Sequence, residues 1–279
     1  MQAIRFSVGG QALHGELHEA EGGAKGGVVL VHGFNSSLGE FGGLAPRLAR
    51  AGYDVLAFDQ RGYGSSEGER GRTSVEAAVQ DIEAAAAVLR NRLGRKPIGI
   101  VGHSLGGAYA IAAMARTDLF QAGVAAHPLD RLFDELKWFE KMGYHVIGKR
   151  AERKMAKGKA AGTIPYKLSY EKLFVSKEAA RAARADAFLL GRVSLANYRP
   201  ALTMSASTWA REVRKPVLVV SSPHDRAVRP AHTRAVFGAL AGPKEFIEHG
   251  GGHSCFRDVD GERLANETAA WLDRWMVPS

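Results

Sequence analysis

Short runs of branched, apolar residues recur along this chain between longer stretches of helical character, and that alternation restricts its fold more than any other feature. VVLVHG fills 28–33, DVLAFD 54–59 and IGIVGHS 98–104; a further short run covers 122–126, and PVLVVSS (216–222) and KEFIEH (244–249) complete the series. Helices are predicted between them at about 40–51, 74–93, 105–116, 231–241 and 258–276. Continuous apolar strands alternating with helices imply an α/β fold, a mostly parallel central sheet flanked by helices on both faces. Residues 3–8 and 12–18 alternate apolar and polar side chains around Gly9-Gly10, which predicts a β-hairpin opening the sheet.

The alternation stops after His127-Pro128 and resumes near Pro200. Residues 1–127 and 201–279 are therefore predicted to form one core domain, with 128–200 a helical cap inserted in it. Charge marks the same boundary. The chain has a net charge of +9, and the cap holds 16 Lys and Arg against 8 Asp and Glu, while the remainder has 22 against 21. So local an excess argues against a DNA-binding face, and no zinc-finger, RRM or basic-zipper pattern accompanies it; nucleic acid is not an expected partner. The single cysteine, Cys255, forbids an intramolecular disulfide, and the opening MQAIRFSVGG has no apolar core of signal-peptide type, so a cytoplasmic location is expected. The longest weakly apolar run, 106–115, falls far short of the roughly 20 residues needed to cross a bilayer, so an integral membrane protein is not expected.

The serine of IGIVGHSLGG (98–107) admits two readings. GHSLG matches G-x-S-x-G, the nucleophile elbow, in which a serine projects from a tight turn between a buried strand and a helix. A serine at a helix start is also an ordinary N-cap. The chain carries a control for the pattern, because GSSEG at 64–68 matches it too. Ser66 has no strand before it and only the polar EGERGRT after it, so it reads as a loop residue. Ser104 has both flanks, and the helix behind it directs the Leu105 backbone N–H to where a developing oxyanion needs a donor.

A serine hydroxyl is a weak nucleophile at neutral pH and needs a base, itself oriented by an acid. In an elbow fold the chain order is serine, then Asp or Glu, then histidine. His14, His18, His32 and His103 come too early, His127 and His145 precede the strands that follow the cap, and His224 and His232 flank the candidate acid. His249 ends an apolar run, whereas His253 follows Gly250-Gly251-Gly252 in a loop able to bring an imidazole over the elbow, which favours His253. Asp225, just past PVLVVSS, is the favoured acid; Asp258 and Asp260 open the last helix and read as N-terminal caps.

With these pieces in order, the chain resembles the α/β-hydrolase superfamily over nearly its whole length outside the cap. His32-Gly33-Phe34, Asp59-Gln60-Arg61-Gly62-Tyr63-Gly64-Ser65-Ser66, GHSLGG, Asp225 and His253 carry the resemblance. HGFNSSLGEF and RGYGSSEGER are similar to the monoacylglycerol lipase and lysophospholipase-like branch. Ser221-Ser222-Pro223-His224-Asp225 departs from it, with serine where glycine is common. The resemblance implies an oxyanion hole formed by the backbone N–H groups of Phe34 and Leu105, and structural roles for Asp59 and Arg61. His127 is left either shaping the pocket or reaching the site.

The expected activity is cofactor-free hydrolysis of carboxylic esters, monoacylglycerol-like or other medium-chain acyl esters, through an acyl-enzyme. Thioesterase, peptidase and perhydrolase chemistry share the same three residues and stay open, as does a binding protein on the same fold without turnover. Serine at position 104 excludes the aspartate-nucleophile branches of haloalkane dehalogenases and epoxide hydrolases. No metal is expected, because the histidines and cysteine lack ligand spacing in sequence. In the cap, Leu132, Phe133, Leu136, Phe139 and Met142 recur at helical spacing and either line an acyl site or pack the cap onto the sheet. The basic run 149–159 either draws in an anionic substrate or lipid surface or is a solvated helix face.

Overall fold

The computed structural model of the chain describes residues 1–131, 136–166, 169–186 and 188–276. The expected hairpin is present as β1 (Gln2–Val8) and β2 (Gln11–His18), paired antiparallel. The core strands follow as β3 (Gly26–Val31), β4 (Tyr53–Phe58), β5 (Ile98–His103) and β6 (Ala122–Ala126); two short strands, β7 (Thr163–Pro165) and β8 (Arg192–Ser194), precede β9 (Val217–Ser221) and β10 (Lys244–Glu248). All but β7 and β8 form one sheet in the order β1-β2-β4-β3-β5-β6-β9-β10, parallel from β4 to β10.

Every residue of β3, β4, β5, β6 and β9 is buried, and the side chains alternate between two cores. Val29, Leu56, Ile100 and Val219 pack beneath α2 (Val75–Leu93) and α3 (Leu105–Arg116) on one face. On the other, Val28, Val55, Val101 and Val220 meet α1 (Leu44–Arg50) and the C-terminal helix (Gly261–Met276). Helices cover both faces, which is why these strands tolerate no polar alternation.

One expected helix starts later than its pattern suggested. The 40–51 stretch opens with a 3-10 turn (Leu38–Phe41), and a helix begins only at Leu44, after Gly42-Gly43. Gly42 adopts φ 52°, a left-handed conformation that glycine supplies without a Cβ clash.

The 128–200 segment contributes α4 (Trp138–Met155), α5 (Tyr170–Leu173), α6 (Lys177–Asp186) and α7 (Tyr198–Thr203). It is not wholly helical: β7 and β8 pair antiparallel as a second, two-stranded sheet. Three residues apiece are too few for a period of two to show in sequence. The core resumes with α8 (Ala206–Ala210) and α9 (Pro230–Ala239) and ends on α10, the Gly261–Met276 helix. Among the described residues no helix is long and apolar enough to cross a membrane.

Candidate active site

The strand order reverses around β3: the chain passes from β3 to β4 on one side, then to β5 on the other. In open α/β sheets such a switch point leaves a crevice at the carboxyl ends of the strands. There β3 delivers His32, Gly33 and Phe34, β5 delivers His103 and Ser104, β6 delivers His127, and the loop after β9 carries Asp225.

Ser104 is the single residue between β5 and α3, and its backbone is held at φ 55°, ψ −119°. A non-glycine residue held in a sparsely populated backbone region costs on the order of 1–3 kcal/mol, and such strain concentrates at functional sites. Its backbone is tied on three sides, the N–H donating to Ala126 O at 2.8 Å and the carbonyl accepting from Ala108 and Leu129 at 3.2 and 3.0 Å. Its side chain makes no capping hydrogen bond, so the N-cap reading fails. Gly106 permits the turn, since a Cβ there would run into the Val31 and His32 carbonyls. Ser66 is the reverse case: its hydroxyl donates to Asp59 O at 2.6 Å and accepts from His14 N–H at 2.8 Å, which makes it a loop brace. Asp59 accepts from the Leu38 and Ser65 amides, and Arg61 donates through Nε to Asp81 at 2.8 Å, so both have the structural roles expected.

Asp225 and His253 meet. His253 Nδ1 lies 2.8 Å from Asp225 Oδ2, while Asp225 Oδ1 accepts from the Ala227 and Val228 amides at 2.8 and 2.9 Å. Burial alone would raise this carboxyl, but His253 and His127 beside it hold it well below the ordinary range. A proton on Nδ1 of His253 leaves its Nε2 lone pair as the free base. Ser104, Asp225 and His253 are all buried, and Ser104 is 7% exposed.

A second buried pair, missed in sequence, stands behind the first. His103 Nδ1 contacts the Glu40 carboxylate, and His103 Nε2 lies 2.7 Å from the His253 carbonyl oxygen. Both neighbours are acceptors, so both ring nitrogens carry protons and His103 is an imidazolium. Burial opposes that charge, but Glu40 outweighs it and raises His103, while His103 holds the equally buried Glu40 carboxyl down at about 2. Glu40 also accepts from the Gly33 N–H at 3.1 and 3.2 Å. The pair thereby joins the turn after β3 to the loop bearing His253. The G-x-S-x-G pattern leaves its second position free, and chain order removed His103 as a base; neither consideration could reveal a buried partner for it.

The remaining expectations fare unevenly. Phe34 is half-buried and packs edge-on against Tyr166 of the 128–200 segment, with ring centroids 5.6 Å apart. Leu105 opens α3, where a first-turn N–H has no intrahelical acceptor. His127 is fully buried and lies 2.6 Å from Asp225. Leu136 is half-buried, whereas Phe139 and Met142 are more than half exposed on α4, which is surface and not pocket wall; Leu132 and Phe133 lie outside the described residues. Asp258, expected to cap the last helix, instead accepts from the Gly252 N–H at 2.7 Å and from Val175 and Ser176 at 2.6 and 3.0 Å, clasping the 128–200 segment to the histidine loop. Asn35, one residue past Phe34, is fully buried at φ 58°, and among the described residues its amide has no partner on either side.

The fold also gathers donors that sequence spacing hid: His127, His249 and Cys255 bring ligand atoms within 4.8 Å of one another, as do His127, Asp225 and His253. These residues lack metal-ligand spacing along the chain but come together in space. His249 Nδ1 accepts from the Gly251 N–H at 3.0 Å, so a metal on its Nε2 would demand loss of the ring's last proton. The donor set suits hydrogen bonding better than a cation.

A mostly parallel sheet with a strained serine at the turn after β5 and an Asp–His pair at the same edge defines an α/β-hydrolase. The Hydrolase_4 family model, described as serine aminopeptidase, S33, matches residues 22–260, and the chain belongs to that family. It is similar to a monoacylglycerol lipase of Mycolicibacterium smegmatis, 25% identical over 272 residues that cover 95% of this chain and 94% of that protein. An uncharacterized 31.7 kDa protein of Escherichia coli is 28% identical over 265 residues, 89% of each chain. Among solved structures, the monoacylglycerol lipase of Paleococcus ferrophilus superposes with a TM-score of 0.76 at 28% identity, covering 93% of this chain and 98% of its own.

Proposed function

We propose that the protein is a serine hydrolase of acyl esters, with Ser104 as nucleophile, His253 as base and Asp225 as the acid that orients it. The observation that carries this reading is the 2.8 Å bond between His253 Nδ1 and Asp225 at the sheet edge where Ser104 is held in a strained turn with its hydroxyl uncommitted to capping. His253 Nε2 takes the Ser104 proton as Oγ attacks the ester carbonyl; the same proton passes to the departing alcohol, leaving an acyl-serine. Water, deprotonated by His253, then releases the carboxylic acid and restores the serine. The Phe34 and Leu105 amides hold the oxyanion at each tetrahedral step, a contribution of about 10²–10³ per donor. The unpartnered Asn35 amide is suited to a polar part of the substrate, since a buried polar group without a partner requires a reason.

Monoacylglycerol-like esters fit the similarity to two monoacylglycerol lipases. A peptide with a free amino terminus fits less well, because the ammonium group needs an acidic anchor and the cap is strongly basic. That cap also suits an anionic lipid surface. Trp138, Phe139, Met142 and Val146 are between 49% and 72% exposed on α4. At about 100° per residue they share one stripe, which Lys149 and Arg153 continue.

A panel of p-nitrophenyl acyl esters of graded chain length, with an amino-acid p-nitroanilide alongside, tests the activity. Wild type should hydrolyse the esters in preference to the anilide, and Ser104→Ala should lose about 10⁴-fold or more in kcat. Folded wild type inert to every ester, or a Ser104→Ala variant of undiminished rate, overturns the assignment.

A further inference from the structure

Asp225 Oδ2 has two imidazoles on it. His253 Nδ1 approaches at 2.8 Å as a hydrogen bond and His127 Nδ1 at 2.6 Å as a charge contact, His127 Nδ1 being buried without a hydrogen-bond partner of good geometry among the described residues. His127 follows β6 at φ 48°, an uncommon left-handed conformation for a residue other than glycine, with its N–H bonded to Val220 O at 2.8 Å. Its other ring nitrogen, Nε2, lies 2.8 Å from His249 Nε2.

The proton positions along this chain of groups follow from one fixed point. The Gly251 N–H can only donate, and it donates to His249 Nδ1 at 3.0 Å. Neutral His249 therefore carries its proton on Nε2 and donates it to His127 Nε2. His127 must then carry its own proton on Nδ1, which faces the carboxylate. Burial favours the neutral form of both rings, pushing His249 down to about 4 and His127 down to about 3. The loop is pinned from its other side as well, since Ser222 Oγ donates to the Gly251 carbonyl at 2.5 Å.

We infer that His127 is a positioning residue which, backed by His249, holds and partly neutralises Asp225 and so limits how strongly that carboxylate retains a proton on His253. The inference rests on the proposed serine-hydrolase reading. Charge that Asp225 shares with His127 is not available to an imidazolium forming at position 253, so removing the second imidazole should move the acid limb of the pH–rate profile. The other charged or titratable groups facing His253 are the His103–Glu40 pair from the ends of β5 and the turn after β3, and Cys255 with His249 on its own loop; Asp258, Asp260 and Arg263 lie beyond His249. A change confined to position 127 leaves all of them in place.

The test is the pH profile of kcat/KM on a p-nitrophenyl ester for His127→Phe and His127→Asn. Phenylalanine keeps a ring and removes the donor; asparagine keeps an N–H close to the position of Nδ1. The acid-limb midpoint of His127→Phe should move up by about one pH unit while His127→Asn stays near wild type. An unmoved midpoint in the folded Phe variant overturns the inference, as does an equal shift in both variants, which a packing role alone produces. Should Phe fail to fold, His249→Phe removes the backing donor from the far end, and its midpoint must rise by a smaller amount or the inference fails. Wild type inactive on every ester sinks the serine-hydrolase reading instead, so the two failures are distinguishable.

Discussion

At the scale of single residues, the site is built as much by charge pairing as by the three groups proposed to react. Glu40 and His103 form an ion pair in a place where an isolated charge is costly, and breaking such a pair by removing one partner costs about 3–5 kcal/mol. Folded Glu40 sits at about 2 against 4.5 unfolded, so its stabilisation is whole above pH 4.5 and is lost as pH falls toward 2. His103 is raised above 6.5, so its share is whole below pH 6.5 and is lost as pH climbs through the elevated value. Glu40→Gln should therefore lower unfolding free energy by about 3 kcal/mol near pH 5.5, with the gap to wild type narrowing as pH falls from 4.5, measured by urea unfolding across that range. A gap independent of pH contradicts the ion pair. The strand–turn–helix setting of Ser104 and the placing of Asp225 and His253 after it were legible in sequence because an elbow demands a strand, a turn and a helix in order, and the proposed triad demands a chain order. Glu40, His103 and His249 were not, because a buried partner leaves no local pattern: Glu40 and His103 are 63 positions apart.

Among elements, periodicity told most where an element was long. α2 and α3 stand within a residue of their expected limits, and Ser74 caps α2 by accepting from the Ala77 N–H at 3.2 Å. Where glycine interrupts, at Gly42-Gly43, or where strands have three residues, as in β7 and β8, the periods were too short to read. α4 is the element whose behaviour differs most from a core helix, because its large apolar side chains face outward. If that face meets an anionic bilayer, cosedimentation with vesicles containing phosphatidylserine should be retained at low salt, weaken at high salt, and fall severalfold in a Trp138→Ser, Met142→Ser double variant. Self-association of the wild type with no vesicle binding contradicts the lipid assignment and makes the stripe an interface between copies.

Across the whole molecule, the fold turns distant segments into one edge. Residues from the ends of β3, β5 and β6, the loop after β9 and the loop after β10 converge where the strand order reverses, and the 128–200 segment is tied to that edge through Asp258 and through the Leu190 N–H to the Asn35 carbonyl at 2.8 Å. The alternation of strands and helices made this architecture readable, while the way the 128–200 segment meets the sheet edge depends on contacts between segments far apart in sequence. The proposal that follows from the convergence is that one serine of the chain is made nucleophilic. Incubation with a fluorophosphonate, followed by intact mass and peptide mapping, measures this most directly. A single adduct on Ser104, with none on Ser66 and none in Ser104→Ala, is the predicted result; folded wild type without an adduct, or an adduct that persists in Ser104→Ala, contradicts it.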